Sequence, residues 1–407
     1  MISADFAPNE QLSDAWLSLK LLLQPWLWKK GMETDAVKKK VLEKFFHVSR
    51  STFYVSLFLS ARAGLFTILK GLNLPKDSEI IVQAFTCEAV ILPILENGFK
   101  PVYVDIEPNT LSMDPIDFQK KITGKTTVVI LQHTFGIPPI YRTKLYEISK
   151  KHNLVLIEDI AHGYSIENNK KLDIKDEKYI FLLSFGRSKA LSSVFGGGVV
   201  TNDVRVQKAL EKSQIALEPP TFTFILRLLL YKPISVFIKS TYDLYIGKLV
   251  HAITNLFKLL IPEITQREKE GLYDPLFDKA YPNALAMLLL PQLDKYEQMY
   301  KARALTCSLY HKHLSNYSFL NFQPHEGLLR FPIQVNNPES LRKKAARHNI
   351  YLGSWYNQVV APKSIDLSKM QYHKGSCPQA EKVCKKILNL TTNISYHEAL
   401  KVISVIK

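Results

Sequence analysis

The 407-residue sequence predicts an α/β protein. Its large domain is expected to contain a mostly parallel central sheet with helices on both faces, and a smaller C-terminal α/β domain is expected to follow. Short apolar runs alternate with helix-like segments of about 10 to 15 residues between Glu79 and Asp203, which is typical of parallel strands joined by crossover helices. A shorter alternation of the same kind begins near Leu328. No G-x-G-x-x-G sequence follows a predicted strand, so the usual dinucleotide-binding motif is absent.

The elements of the large domain can be assigned in order along the chain. Predicted strands cover Glu79 to Thr86, Lys100 to Ile106, Thr126 to Gly136 and Leu154 to Ile157, and predicted helices cover Ala89 to Asn97 and the segment from Asp114 to Ile122. Asp114 is a favoured N-cap residue, and Pro115 suits the first turn of the helix that follows it. His133 is interpreted as a loop or core histidine rather than a catalytic one.

The chain is predicted to divide into three parts. Residues 1–50 form an N-terminal helical arm, residues 51–304 form the large domain, and residues 305–407 form the small C-terminal domain. An apolar, amphipathic segment at residues 219–262 is predicted as an insertion within the large domain. A chain of this length is long enough to bury one large core and a smaller one.

The composition bears on the expected partners. The chain has 53 Lys+Arg against 37 Asp+Glu, a formal net charge of +16. These basic residues are scattered as pairs and triplets on predicted helix faces, and no nucleic-acid-binding motif accompanies them. Binding to nucleic acid would therefore rest on charge alone and would fall steeply with salt. We expect a solvated basic surface and no nucleic-acid partner.

The N-terminal arm and the cysteines indicate a cytoplasmic protein. The four cysteines show neither zinc-like spacing nor the density of a disulfide framework, so no metal site is predicted. The arm is not predicted to be a signal peptide, because acidic residues precede a short apolar run that Lys20 and Pro25 interrupt. Trp16, Trp26 and Trp28 are expected to cover the core or to line a dimer interface.

The apolar segment 219–262 allows more than one interpretation. Charged residues interrupt it too often for any stretch to reach the roughly 18 uncharged residues of a transmembrane helix. It is predicted to form one or two amphipathic helices, broken at Pro233. A subunit interface or a lid over the large domain is the interpretation that carries more weight. The basic and aromatic flanks make a peripheral membrane contact the alternative.

A lysine in a glycine-rich segment is the main candidate for chemistry. An apolar run delivers Ser184, Lys189 follows five residues later, and Gly196, Gly197 and Gly198 open the next apolar run. This order predicts a strand, an exposed loop, a glycine turn and a second strand. Because glycines lack a Cβ atom, they let the backbone approach a bound group closely. A lysine held there can form a covalent bond with a carbonyl group.

A second candidate residue ends a neighbouring strand. The buried run from Leu154 to Ile157 continues into Glu158 and Asp159, and His162 follows in a turn of small residues. Ligands of open α/β sheets bind at the carboxyl ends of the strands. Asp159 is therefore expected at such a site, although it could instead cap a helix.

These two segments together resemble the DegT/StrS-type sugar aminotransferases. Family members carry an E-D-x-A-[QH] element, matched here by Glu158 to His162, and an S-F-x-x-[ST]-K element followed by two glycines, matched here by Ser184 to Lys189 with Gly197 and Gly198. The resemblance runs from about Ser60 to Asp203 and resumes from Tyr281 to the C-terminus. It implies the fold-type I architecture and pyridoxal 5'-phosphate (PLP) as cofactor.

The resemblance also implies roles for particular residues. Lys189 would hold the cofactor covalently and would move a proton, Asp159 would face the pyridine nitrogen, and His162 would lie near the phenolic oxygen or over the ring face. Ser184 would bind the phosphate together with the helix start at Ser60, Ala61 and Arg62. Unpaired backbone N–H groups at such a helix start favour anions.

The sequence departs from the family pattern at four places. The family's Gly-Thr at the phosphate helix is Ala61-Arg62 here, and an arginine could itself pair with phosphate or with a carboxylate elsewhere in the chain. The aromatic residue that stacks on the cofactor in many members is Cys87, so Phe85 is the candidate for stacking. The family's G-x-N-x-R element is missing, which leaves Asn283 as a weak candidate. The segment 219–262 is the fourth departure.

The predicted function is transfer of an amino group from an amino acid, by resemblance glutamate, to a keto sugar on a nucleotide carrier, in cell-surface polysaccharide biosynthesis. The resemblance also implies a homodimer. One alternative is a PLP-dependent sugar dehydratase, although in that group a histidine replaces the lysine that Lys189 retains. Another is a PLP-binding member without turnover that has a regulatory or assembly role.

Overall fold

A computed structural model describes residues 1–46, 53–164, 178–317 and 326–407. The predicted arm, large domain and small domain each include some residues outside these ranges. The fourteen helices of the described chain are α1 (Leu12–Leu22), α2 (Glu33–Val41), α3 (Ala61–Gly71), α4 (Glu88–Glu96), α5 (Pro115–Lys121), α6 (Arg142–Lys151), α7 (Val204–Ala216), α8 (Phe222–Thr241), α9 (Ile246–Leu256), α10 (Gln266–Lys269), α11 (Asn283–His313), α12 (Pro338–Ala346), α13 (Pro378–Cys384) and α14 (Tyr396–Ile406). The strands within the same ranges are β1 (Ile2–Ser3), β2 (Tyr54–Phe58), β3 (Glu79–Gln83), β4 (Thr86–Cys87), β5 (Lys100–Val104), β6 (Thr126–Gln132), β7 (Val155–Asp159), β8 (Ile180–Ser184), β9 (Gly197–Thr201), β10 (Arg330–Gln334), β11 (Ile350–Tyr351), β12 (Val360–Ala361) and β13 (Ile387–Thr391).

A seven-stranded sheet, in the order β2-β9-β8-β7-β6-β3-β5, lies within the predicted large domain. The pairs from β8 through β7, β6 and β3 to β5 are parallel, whereas β9 is antiparallel to both of its neighbours. The central strands β3, β6, β7 and β8 are buried on both faces, as their near-continuous apolar sequences predict. The mostly parallel sheet predicted from the sequence is confirmed.

The local signals that set the helix starts are also confirmed. The Asp114 carboxylate accepts hydrogen bonds from the backbone N–H groups of Ile116 and Asp117, so it caps α5 as its position before Pro115 predicts. Ser60 caps α3 in the same way, through a 3.1 Å bond from the N–H of Ala63. Both caps satisfy donors that a helix start would otherwise leave without partners.

Short strand pairs connect the C-terminal region to the rest of the chain. β10 and β13 form an antiparallel pair within that region. β12 pairs with β4, which places Ala361 opposite Cys87, and β1 at the very N-terminus pairs with β11. The arm therefore contributes a strand to the C-terminal region as well as helices that pack against α8 and α11.

The tryptophans of the arm behave differently from one another. Trp28 is buried, and its indole N–H donates a 2.7 Å hydrogen bond to the carbonyl of Leu21. Trp16 and Trp26 are 64% and 71% exposed in the single chain. The expected covering of the core thus applies to Trp28.

The predicted break at Pro233 is wrong, because α8 runs through this residue from Phe222 to Thr241. A proline inside a helix leaves the carbonyl four residues earlier without its backbone donor. Here that carbonyl belongs to Leu229, and the hydroxyl of Ser18 on α1 donates to it at 2.6 Å. The break falls instead before α9, at Tyr245, whose φ of 64° is left-handed.

Ser18→Ala tests this explanation, because it removes the substitute donor for Leu229. We expect the free energy of unfolding to fall by about 1–3 kcal/mol, the cost of a buried acceptor without a partner. Urea denaturation measures the change, and Ser13→Ala on the exposed face of the same helix is the matched control. Equal stability of the two variants would contradict the explanation.

Candidate active site

A cavity of about 290 Å³ lies at the carboxyl edge of the central sheet. Gln132 ends β6, Asp159 ends β7 and Ser184 ends β8, and all three line this cavity. Consecutive parallel strands bring their last residues to one edge, where open α/β sheets bind their ligands. The edge thus collects residues that lie far apart in the sequence.

Lys189 enters the same cavity from the loop between β8 and β9. The loop is tied to other elements at several points: the Arg303 guanidinium donates to the carbonyl of Ala190 at 3.0 Å, and the side-chain oxygen of Gln292 accepts from the N–H of Ser192 at 3.1 Å. The amide of Asn9 also donates to the carbonyl of Lys189 itself. Helix α11 and the arm therefore fix the direction in which the lysine projects.

Burial shifts the pKa values of Lys189 and Asp159, which both line the cavity. It lowers the pKa of the Lys189 amine, although the nearby Asp159 and Glu263 carboxylates oppose this effect. It raises the pKa of Asp159, against the hydrogen bond from the N–H of Ala161 and the charge of Lys189. A lysine with a lowered pKa is more readily deprotonated, which is what a nucleophilic amine requires.

His162 is fixed by hydrogen bonds to both of its ring nitrogens. Nδ1 accepts from the backbone N–H of Phe135 at 3.1 Å, and Nε2 lies 3.0 Å from the hydroxyl of Tyr356. Because an amide N–H can only donate, Nδ1 carries no proton. Burial holds the pKa of His162 well below its usual value, so the ring is neutral and Nε2–H donates to Tyr356. Both nitrogens are thus engaged, and the Trp355 indole stacks on the ring with 5.2 Å between the centroids.

The start of α3 lies beside the lysine loop, as a phosphate site would require. Ser60, Ala61 and Arg62 all line the cavity. The approach of this helix start to β9 depends on Gly197, because a Cβ atom there would overlap the backbone of Ser60 and Ala61. The glycines following Lys189 therefore let two parts of the predicted phosphate site meet.

Arg62 is already engaged by carboxylate and carbonyl groups of the chain. Its guanidinium pairs with the buried Glu268 and donates to the carbonyl of Glu263 at 2.7 Å. It also lies over the ring of Phe277, 4.6 Å from the centroid. The expectation that Arg62 pairs with a carboxylate elsewhere is met, whereas a direct contact with phosphate would require it to exchange these partners.

A correction concerns Phe85, the residue expected to stack on the cofactor. Its ring is fully buried and does not line the cavity, because it packs edge-on against Phe135 and Tyr356. Cys87 does line the cavity, and burial raises the pKa of its thiol to about 12. The thiol is therefore protonated at neutral pH, which argues against a reactive thiolate.

Asn283 also lies away from the cavity. Its amide donates to the carbonyl of Leu27 at 2.9 Å, and its side-chain oxygen accepts from the N–H of Glu33 at 3.3 Å. It joins the arm to the start of α11. It does not stand in for the asparagine of the family's G-x-N-x-R element within this chain.

Several cavity residues were not identified from the sequence. Trp355 lies 5.0 Å from the Lys189 amine and stacks on His162, with 5.2 Å between ring centroids. The buried Arg330 guanidinium lies under the same indole at 3.4 Å from its centroid and pairs with Asp5 at 2.6 Å. Glu88 at the start of α4, and Glu263 and Ile264 from the segment after α9, are among the others that line the cavity. For these residues the sequence shows only the residue type and its neighbours, and neither indicates that the residue lines the site.

The strand residue before Asp159 anchors the opposite face of the sheet. Glu158 contacts Nε2 of His133 at 2.7 Å and Nε of Arg142 at 3.1 Å, and it accepts from the hydroxyl of Tyr146. Burial would raise the pKa of Glu158, but the hydrogen bond from His133 and the charge of Arg142 outweigh it and lower the pKa to about 2. His133 is thus a core histidine, as predicted.

Glu158→Gln should destabilise the protein in a pH-dependent manner. A carboxyl group with a lowered pKa stabilises the fold above its ordinary pKa of 4.5 and loses this contribution as the pH falls towards about 2. We expect a loss of about 3–5 kcal/mol near neutral pH, because a buried charge pair is broken. The difference from wild type should narrow as the pH falls below about 4.5.

Urea denaturation over a pH series measures this difference. Glu147→Gln, an exposed change on the same helix as Arg142 and Tyr146, is the control and should stay within about 0.5 kcal/mol of wild type. A difference between wild type and Glu158→Gln that does not change with pH would contradict the assignment.

Several known proteins with similar sequences carry the names of amino-sugar enzymes. The chain is 29% identical over 178 residues to GDP-perosamine synthase of Escherichia coli O157:H7, a match that covers 44% of this chain and 47% of that protein. It is 30% identical over 159 residues to dTDP-4-amino-4,6-dideoxy-D-glucose transaminase of Shigella dysenteriae, covering 39% of this chain and 42% of that protein. The matched region thus spans about half the length of these relatives.

The fold has been observed before with a cofactor bound. The structure of NtdA from Bacillus subtilis, determined with pyridoxamine phosphate, superposes with a TM-score of 0.70 at 18% identity and covers 97% of this chain and 81% of that one. Likeness at this identity establishes the fold, which is that of the fold-type I enzymes.

The family assignment rests on the sequence profile with the widest coverage. The profile of the DegT/DnrJ/EryC1/StrS aminotransferases matches residues 20–216 and 281–407 and leaves out the stretch that contains α8, α9 and α10. The aminotransferases of this family use PLP. With most of its length matched, the chain belongs to the DegT/DnrJ/EryC1/StrS aminotransferase family.

Proposed function

We propose that this protein is a PLP-dependent aminotransferase that moves an amino group from an amino acid to a keto sugar linked to a nucleotide. The observation that carries the proposal is the meeting of Lys189 and Asp159 in one buried cavity at the carboxyl edge of the sheet. Both groups have shifted pKa values, and burial combined with a charged partner is typical of functional groups.

The residues of the cavity fit the proposed cofactor. The Lys189 amine can bind its aldehyde, the buried Asp159 carboxylate can pair with its protonated pyridine nitrogen, and His162 can lie against its ring in place of the Trp355 indole that now stacks on it. Ser184 and the backbone N–H groups at the start of α3 can receive its phosphate.

The protein's own groups then serve the proton transfers. The cofactor supplies an electron sink for the carbanion that forms when an amino acid loses its α-proton. The Lys189 amine would take this proton from the substrate carbon and deliver it to the cofactor carbon, two bonds away. Asp159 would keep the pyridine nitrogen protonated, and the surrounding apolar residues would exclude water from the reacting atoms.

The acceptor and donor follow from the relatives rather than from the cavity. The relatives named above are a perosamine synthase and an amino-sugar transaminase that carry GDP and dTDP in their names, which supports a nucleotide-linked keto sugar as acceptor. Cell-surface polysaccharide synthesis is the setting that such a product suits. Glutamate is the proposed donor, and a cytoplasmic location is proposed on the composition.

The two alternative functions, a dehydratase and a member without turnover, differ in how well they fit the cavity residues. The retained Lys189 argues against a dehydratase, since that group uses histidine at this position. A member without turnover would still be compatible with the engaged Arg62 and the protonated Cys87. The experiment below separates the enzyme from this second alternative.

Lys189→Ala should abolish the visible absorbance that lysine-bound PLP shows, and it should lower transaminase activity at least roughly 100-fold, the usual effect of losing a general base. Absorbance of the purified protein with PLP measures the first effect, and loss of that absorbance on adding glutamate measures the first half of the reaction. Lys189→Arg keeps the charge but cannot bond to the aldehyde, so it should behave like Lys189→Ala. A wild-type protein that binds PLP but does not respond to any amino donor would support the member without turnover.

We also propose that the protein is a homodimer and that it contacts the membrane surface through the segment 219–262. Among the described helices, none combines the length and hydropathy needed to cross a bilayer. α9 nevertheless presents a row of exposed apolar residues, which are Ile246, Leu249, Ile253, Leu256 and Phe257. These residues define the α9 face.

Charge favours lipid over a second copy as the occupant of the α9 face. The segment 219–262 carries one acidic residue, Asp243, against five Lys and Arg residues, of which Lys232 is buried and paired with Glu10. Lys248 flanks the α9 face, and the exposed Lys258 follows it. A two-fold contact through this face would bring these cations towards their own copies, whereas anionic headgroups would neutralise them. The dimer contact is therefore proposed elsewhere on the surface.

Vesicle binding of a double variant, Leu249→Glu with Leu256→Glu, tests both proposals. Wild type should sediment with vesicles that contain anionic lipid, and less so at high salt, whereas the variant should remain in the supernatant. Light scattering should give twice the 46.6 kDa chain mass for both proteins. Leu305→Glu, at an exposed leucine on α11, is the control. A variant that becomes monomeric would instead assign the α9 face to the dimer contact.

A further inference from the structure

The segment that follows α9 places an acidic side chain inside the candidate active site. We call residues 260–265 the strap. Glu263 and Ile264 of the strap line the cavity together with Ser60, Ala61 and Ser184. These last three residues are the ones that the proposed function assigns to the phosphate of the cofactor. The strap belongs to the stretch that the family profile does not match.

The Glu263 carboxylate is bound by groups around the lysine loop. The hydroxyl of Ser188 donates to it, with distances of 2.9 and 3.2 Å to its two oxygens, and Nε of Arg187 lies 3.8 Å away. A Cβ atom at Gly186 would lie 3.7 Å from the hydroxyl of Ser184 and 3.9 Å from Oε1 of Glu263. The carboxylate and the predicted phosphate ligand Ser184 are therefore neighbours.

Two arginines, Arg62 and Arg187, bind the backbone of the strap. Arg187 donates to the carbonyl of Ile261, and Arg62 donates to the carbonyl of Glu263 at 2.7 Å. Arg62 also pairs with Glu268, which lies on α10 directly after the strap. The cations that face the anion site are thus bound to the strap and to α10, and the Glu263 charge is 38% exposed to the cavity and solvent rather than sealed away.

We propose that Glu263 is a built-in competitor of the cofactor's phosphate and so a determinant of cofactor affinity. This inference rests on the proposed function. A phosphate monoester at the start of α3 and Ser184 would lie next to the carboxylate, and two anions so close repel each other in a partly desolvated site. Binding of the phosphate therefore requires Glu263 to leave Ser188 and Arg187, which become available to the phosphate in exchange.

Comparing the affinities for PLP and for pyridoxal separates the effect of Glu263 on the phosphate from any effect on the ring. Glu263→Gln keeps a hydrogen-bond acceptor for Ser188 but removes the charge. Its apparent dissociation constant for PLP should fall about 10-fold or more relative to wild type. Its constant for pyridoxal, which lacks the phosphate, should be unchanged. Both are measured by titrating the absorbance of the lysine-bound form.

A matched variant and a second ligand complete the experiment. Glu270→Gln makes the same change at an exposed residue just beyond α10 and should bind PLP as wild type does. Inorganic phosphate should raise the melting temperature of Glu263→Gln more than that of wild type, because the same competition applies to a free anion. Melting without phosphate shows whether the variant remains folded.

The outcomes separate this inference from the proposed function. Equal PLP affinity of wild type and Glu263→Gln, weaker binding by the variant, or an equal gain for pyridoxal would each overturn the role of Glu263. If neither PLP nor pyridoxal bonds to any variant, the proposed function fails. The inorganic phosphate measurement still decides whether Glu263 competes with anions, since it does not depend on the lysine.

Discussion

Two opposite charges enclosed at one edge of a parallel sheet are the constraint on which the rest of the structure depends. Lys189 and Asp159 both lose solvent there, and each partly compensates the other. Burying a charge is costly unless a partner or hydrogen bonds stabilise it. The chain brings the two charged groups together as partners. Strand β7 carries the carboxylate, and hydrogen bonds from the arm and α11 hold the loop that carries the amine. The proposed chemistry uses a Lys189 amine that burial makes easier to deprotonate, and an Asp159 carboxylate whose charge a cationic partner stabilises.

Much of the site lies in short segments whose local sequence already specifies their conformation. Ser60 and Asp114 cap helices through bonds to residues two or three positions away, and the glycines after Lys189 permit the close approach of α3 to β9. Asp159 could be placed at the sheet edge because strand ends are readable from apolar runs. Such features depend on neighbours in sequence, so the sequence predicts them.

Other features depend on partners far along the chain, and these were missed. Helix α8 continues through Pro233 because Ser18, more than two hundred residues earlier, supplies the missing donor to Leu229. Phe85 has the right ring for stacking but packs against Phe135 and Tyr356 instead. No local pattern around these residues reports which distant side chain will meet them. The same reasoning explains why Trp355 could not be placed beside Lys189.

The stretch that the family profile leaves out, between residues 216 and 281, lines the anion site from one side. It forms α8, α9 and α10, and between α9 and α10 the strap places Glu263 against Ser188. Arg62, at the predicted phosphate site, pairs with Glu268 on α10 and donates to the carbonyl of Glu263. This arginine and the stretch outside the family profile therefore bind each other.

The central claim is that Lys189 is the residue that holds the cofactor, and direct chemical mapping tests it best. Borohydride reduction of the protein loaded with PLP fixes the cofactor on whichever amine carries it, and peptide mass spectrometry then locates the modified residue. We expect the added mass on the peptide that contains Lys189. Modification confined to surface lysines, or no modification after loading, would contradict it.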